Sequence, residues 1–304
     1  MKRVLKLIIE SIFTKHYFFD NKRHIVTEEI KEQIDDLKYY DISSLSGAKK
    51  EWHKNLNELV DNLKNGKIKS FLKLDVIRRT MYISRANYTL SQLNYLPTKK
   101  YLKENFVGSP LLFYKYPIYS ANRIHHQFHL YNFDIKFYEF IKDINFIFEF
   151  GGGYGSICEN IYRHNYKGEY MLFDFKELSI IQQYYLSNTV NKVDFNKIHF
   201  LSDLKNNSNL REKIINSTSL FIATWSFSEA DLNTRKLFTK NILGVFDNYL
   251  IAFQLKFNEI DNLKYFKKFM LINKGVDWEL KLIDNSISKN MNQYYLFGKK
   301  NQIR

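Results

Sequence analysis

The sequence predicts an α/β fold, a parallel sheet closed by an antiparallel hairpin and preceded by an α-helical amino-terminal region. Three observations carry that expectation. From residue 145 onward, short apolar runs alternate with helical segments, the texture of βαβ units with helices on both faces of a sheet. Four of the 11 glycines, Gly151, Gly152, Gly153 and Gly155, fall within five residues at the end of the first such run. The last two runs, Trp278 to Ile283 and Gln293 to Phe297, are joined by a polar connector, Asn285 to Asn290, too short for a crossover helix, so they must pair antiparallel.

At the start of the chain, Val4, Leu5, Ile8, Ile9, Ile12 and Phe13 recur with helical spacing. A signal peptide does not fit, because Lys6 and Glu10 interrupt the apolar run and no small-residue cleavage site follows. That helix is expected to pack on the neighbouring domain, with peripheral membrane contact through Lys2, Arg3 and Lys6 as the alternative. Ile30, Ile34 and Leu37 form the next helical face, then Leu56, Leu59, Val60 and Leu63, with Asn65-Gly66 as a stop. Pro97, Pro110 and Pro117, the only prolines, sit in one 21-residue window and read as an extended boundary. We therefore expect residues 1–140 to form a helical region on the substrate side and residues 141–304 the sheet domain. The predicted strands are Phe146 to Phe150, Tyr170 to Phe173, Ile198 to Leu201, Leu220 to Ala223 and Tyr249 to Phe253, followed by the final pair.

A chain of 304 residues with 45% hydrophobic side chains buries a sizeable core, which excludes a disordered chain. The single cysteine, Cys158, excludes a disulfide framework and a Cys-rich zinc module within one chain, and cytoplasm is the expected compartment. No stretch approaches the roughly 18 apolar residues of a membrane span. The +14 net charge suits an anionic partner, although lysines spread along the whole length equally describe a solvated surface.

The glycine cluster lies where a strand turns into a helix, so backbone can approach a ligand closely while the helix start offers free N–H donors. Two nucleotide-binding readings compete. A dinucleotide fingerprint beginning Gly151-x-Gly153 needs glycine or alanine where Ser156 stands. An S-adenosylmethionine site needs an acid two residues before the first glycine, and Glu149 supplies it. Asp174, at the end of the second run and 19 residues after Gly155, can accept ribose hydroxyls of either cofactor. The closing antiparallel hairpin favours the methyltransferase sheet over an all-parallel one.

Glu149-Phe150-Gly151-Gly152-Gly153-Tyr154-Gly155 resembles the first motif of class I S-adenosylmethionine-dependent methyltransferases. Together with Phe173-Asp174-Phe175, Gln183-Tyr184-Tyr185-Leu186 and Thr224-Trp225-Ser226-Phe227-Ser228-Glu229, it is similar to the sugar O-methyltransferases of bacterial surface-polysaccharide gene clusters. Lys176 departs from that pattern, which has a proline close to the acid. The resemblance covers about the last half of the chain. It implies a seven-stranded, Rossmann-like class I sheet and S-adenosyl-L-methionine as cofactor. It also implies an acceptor hydroxyl on a small or carrier-linked, anionic sugar for capsule or lipopolysaccharide. Residues carried over to the cofactor are Glu149, Gly151, Gly152, Gly153, Tyr154 and Gly155 at its methionyl end, Asp174 at the ribose, and Asp203, otherwise an ordinary helix cap, at the adenine.

Methylating a hydroxyl requires donor and acceptor in line and a group to take the proton. The acceptor of such folds lies over the carboxyl ends of the first, fourth and fifth strands. Glu229, after the fourth, is one candidate base, and its bland role is a helix-start carboxylate. His125, His126 and His129 cluster just before the sheet domain, and from these His126 and His129 are candidates, either of them paired with Glu229; as plain core histidines they would pack an interdomain helix. Zinc is not expected, and Mg²⁺ stays open. Other acceptors fare worse. Cys158 on the helix after the glycine loop reads as a core thiol rather than the nucleophile of a C5-methylating enzyme, and Thr224-Trp225-Ser226-Phe227 lacks the Asp/Asn-Pro-Pro-aromatic motif of amino methylation on bases. DNA is not expected as partner, RNA ribose methylation is the runner-up, and a non-catalytic binding module is the third reading.

Overall fold

The computed structural model describes residues 24–82, 86–113, 116–204, 209–283 and 292–300. Its centre is one seven-stranded sheet: β1 (Phe146–Phe150), β2 (Glu169–Phe173), β3 (Ile198–Leu201), β4 (Ser219–Thr224), β5 (Asn248–Gln254), β6 (Val276–Leu282) and β7 (Gln293–Lys300). Their spatial order is β3-β2-β1-β4-β5-β7-β6. The first five pair parallel, and β7 runs antiparallel between β5 and β6, with Leu296 opposite Ile251 and Leu280. This is the class I methyltransferase arrangement that the closing hairpin predicts. Every residue of β1 and β5 is buried, as continuous apolar runs require when both faces of a parallel strand are covered. Strand order reverses between β1 and β4, which opens a crevice at their carboxyl ends.

The amino-terminal helices follow the predicted apolar faces. Helix α1 (Glu28–Asp35) starts at Thr27, whose hydroxyl accepts from the Ile30 N–H, and buries Ile30 and Ile34. Helix α2 (Gly47–Lys64) ends at Asn65, and Gly66 turns the chain with φ 74°. Helices α3 (Asp75–Thr80) and α4 (Ala86–Tyr95) follow. The region is not wholly helical, because Leu112–Phe113 and Tyr116–Ser120 form a small hairpin. A two-stranded ribbon has only edges, so it tolerates Pro117. The helix expected at Val4 to Phe13 and the connector at Asn285 to Asn290 lie outside the described residues.

Helix α5 (Ala121–Phe133) is buried along most of its length, in polar as well as apolar residues. Arg123 holds it in place. Its guanidinium donates to Glu104 Oε1 at 2.7 Å, Glu159 Oε2 at 2.5 Å and Asn160 Oδ1 at 2.6 Å. Glu159 and Asn160 belong to α6 (Ser156–Arg163), the helix after the glycine loop, so this cluster fixes α5 over the crevice. One apolar cluster joins Phe71 and Ile124 to Ile147, Leu172 and Tyr295, and a second, phenylalanine-rich cluster fills the opposite sheet face.

Candidate active site

The site forms where the loop after β1 meets the loop after β4. Gly151 has φ 70° and its N–H donates to the Phe173 carbonyl at 2.7 Å. A Cβ there would stand 2.2 Å from Ser226 Cβ, and the Ser226 hydroxyl donates to the Phe150 carbonyl, so only glycine fits between the loops. Gly153, at φ 58°, donates its N–H to Asp174 Oδ2 at 2.9 Å. The Phe175 N–H reaches Asp174 Oδ1 at 2.8 Å, and Gln182 Nε2 reaches Oδ2 at 3.3 Å. Asp174 therefore ties the glycine loop to the end of β2. Burial pushes its carboxyl up to about 7 against the two backbone hydrogen bonds. Glu149, 2% exposed at the end of β1, accepts from the Tyr170 hydroxyl at 2.7 Å and is pushed up by burial to about 8.

After β4 the backbone is strained. Trp225 has φ 70° and ψ −43°, a region that side-chain-bearing residues rarely adopt, and its N–H donates to the Ala252 carbonyl at 2.7 Å. The short helix α7 (Ser226–Glu229) follows. Arg235, itself buried, caps this helix by donating to the Ser228 and Ala230 carbonyls and to Asn262 Oδ1 at 2.8 Å. Glu229 is thus held at the crevice, where burial pushes its carboxyl up to about 7.

Helix α5 supplies the histidines. The His125 and His129 rings meet edge-on at 4.1 Å, and His126 lies 6.4 Å from His129. His125 Nδ1 and Gln92 Nε2 are 2.9 Å apart, and His129 Nδ1 is 2.5 Å from the Tyr295 hydroxyl. His126 Nδ1 and His129 Nε2 are buried without a hydrogen-bond partner among the described residues. Burial lowers all three, His126 to about 3, so the cluster is uncharged at neutral pH.

Glu149, Gly151, Gly152, Gly153, Tyr154, Asp174, His126, His129 and Glu229 all line one cavity of about 590 Å³. Asp203 does not line the cavity; of the Ser202-Asp203 pair after β3 only Ser202 reaches the wall. Gly155 sits behind it as the residue preceding α6. Glu229 makes no hydrogen bond to a histidine among the described residues; its amide partner is Gln254 at 3.5 Å, and the group on His129 is Tyr295. The ring of Tyr154 packs between Phe71 and Tyr185, and its hydroxyl accepts from Asn122 at 2.8 Å. Sequence reasoning missed Trp52 and His53 of α2 and Arg79 of α3, which close the cavity from the amino-terminal side, and Tyr295 of β7. A wider depression of about 880 Å³ lies at the opposite ends of the strands, beside Glu169 and Lys197, and holds none of these groups.

No family model matches the sequence. No curated protein matches it either. Among solved structures, the chain is similar to the methyltransferase domain of bacterial CtHen1-C, at 8% identity over 55% of this chain and 96% of that one, with a TM-score of 0.43. It is also similar to the glycopeptide N-methyltransferase MtfA, at 7% identity over 51% of this chain and 89% of that one, TM-score 0.38. For the precorrin-6y C5,15-methyltransferase from Geobacter metallireducens the values are 11%, 60%, 90% and 0.39.

Proposed function

We propose that the protein is an S-adenosylmethionine-dependent O-methyltransferase acting on a sugar hydroxyl, with an anionic, nucleotide- or carrier-linked sugar as acceptor. The observation that carries the reading is one cavity at the carboxyl ends of β1, β2 and β4, lined by the glycine loop, Asp174 and the histidine cluster. The residues present suit the cofactor. Asp174 keeps acceptor capacity beyond its three N–H donors, and with Glu149 it offers two buried carboxyls whose ionised forms a cation would favour. When bound, S-adenosylmethionine supplies a methyl group on a positively charged sulfur. The backbone of Gly151 to Gly153 holds its methionyl end and Asp174 its ribose. Trp225 and Glu229 border the space left for the acceptor, and a neutral histidine takes the hydroxyl proton. Helices α2 and α3 exclude water from that space.

Calorimetric titration with S-adenosylhomocysteine and with NAD tests the cofactor, and tight NAD binding alone would overturn the reading. Radiolabelled methyl transfer to a panel of nucleotide sugars tests the acceptor. The +14 charge keeps RNA as the second reading. Saturable RNA binding at physiological salt, with affinity falling at a slope near −0.7 per neutralised phosphate, would favour it.

A further inference from the structure

We infer that His129, and not His126, receives the proton from the acceptor hydroxyl, and that Tyr295 of β7 is the residue that positions it. The inference rests on the methyl-transfer reading. Both histidines line the cavity and both carry a buried ring nitrogen with no partner among the described residues. Their other surroundings differ. Among the described residues no hydrogen bond holds the His126 ring at either nitrogen, whereas His129 Nδ1 is 2.5 Å from a hydroxyl that comes from the antiparallel strand across the crevice. The His129 ring is also walled by His125 at 4.1 Å and Trp225 at 6.2 Å. A ring fixed on three sides has one orientation.

The tautomer follows from proton bookkeeping. For Nε2 to accept a proton, neutral His129 must carry its hydrogen on Nδ1, which then donates to the Tyr295 oxygen. In the reaction the hydroxyl oxygen bonds the methyl carbon, its proton passes to Nε2, and the electron pair of the broken carbon–sulfur bond stays on sulfur. The Nδ1–H bond to Tyr295 strengthens as the ring becomes cationic, so it stabilises the transition state more than the ground state.

Nitrogen-15 spectra of histidine-labelled protein report which ring nitrogen carries hydrogen. We expect Nδ1–H at His129 in the native protein and a shift toward Nε2–H, the form preferred by free histidine, in Tyr295→Phe. Hydrogen on Nε2 in the native protein, or an unchanged signal in Tyr295→Phe, overturns the assignment. With an active acceptor, Tyr295→Phe should lower kcat about tenfold or more at unchanged KM, and His129→Gln should lower kcat at least about 100-fold, a larger loss than in His126→Gln. Collapse of His126→Gln with retention in His129→Gln overturns it as well. If the native protein methylates no acceptor, the functional reading fails, while the spectra still decide the tautomer.

Discussion

At the scale of single residues, the site is built from carboxyls that burial keeps near neutrality. If Asp174 holds the cofactor ribose as proposed, its carboxyl, pushed up to about 7, accepts the hydroxyls best when ionised, so cofactor affinity should weaken as pH falls from 8 to 6, and titration calorimetry should record proton release on binding. Asp174→Asn should cost about 1.5–3 kcal/mol of cofactor binding, because hydrogen bonds to a charged acceptor are lost. Gly151 makes a separate demand. Its φ of 70°, and the 2.2 Å that would separate an alanine Cβ from Ser226 Cβ, predict that Gly151→Ala destabilises the fold by about 1–3 kcal/mol in urea titration. Gly151→Ala with Ser226→Gly should recover only part of that, since relieving the contact leaves the strained backbone.

At the scale of elements, α5 brings the histidines to a sheet that does not contain them. Its attachment is ionic and buried: Arg123 lies between Glu104 and Glu159, and the Tyr185 hydroxyl is 3.1 Å from the same guanidinium. Replacing such a cluster by apolar side chains can be neutral, but removing one partner strands the other charges. Arg123→Met should therefore destabilise by about 3–5 kcal/mol, while Arg123→Met combined with Glu104→Gln and Glu159→Gln should recover most of the loss, measured by chemical denaturation. The α5 pattern is weakly legible in sequence for the same reason. A helix buried on nearly all sides carries no clean apolar stripe, and polar residues such as Asn122, Arg123 and Gln127 are buried through partners distant in the chain.

At the scale of the molecule, two sets of buried groups oppose each other with pH. Glu149, Asp174 and Glu229 have folded pKa values raised to about 8, 7 and 7, so the fold holds more protons than the unfolded chain, and the stability they contribute is lost as pH rises through 7 and 8. The histidines of α5 are lowered, so their contribution is lost as pH falls below their ordinary value of 6.5. Between the ordinary carboxylate range and pH 6.5 the two effects offset, and above 6.5 the carboxyl loss is unopposed, so the cofactor-free protein should melt highest below about pH 6.5. Its melting temperature should drop from pH 6.5 to 8.5, with a smaller drop in Asp174→Asn, and calorimetric scans across that range check both. Among the described residues no helix is long and apolar enough to cross a membrane.

The sheet was legible because its signals are local. Continuous apolar runs mark β1, β4 and β5 as buried parallel strands, four clustered glycines mark the turn after β1, and a six-residue connector forces the antiparallel end. Glu149 and Asp174 follow from their spacing to that turn. What tertiary structure alone decided is which side chains meet across the crevice. Asp203 and Glu229 both follow strands, yet Glu229 lines the cavity in a turn that Arg235, from a later helix, holds by its carbonyls, and Asp203 does not line it. Tyr295 stands 166 residues from His129 in the chain, and no local pattern encodes a pair whose geometry comes from packing a helix on the far end of a sheet.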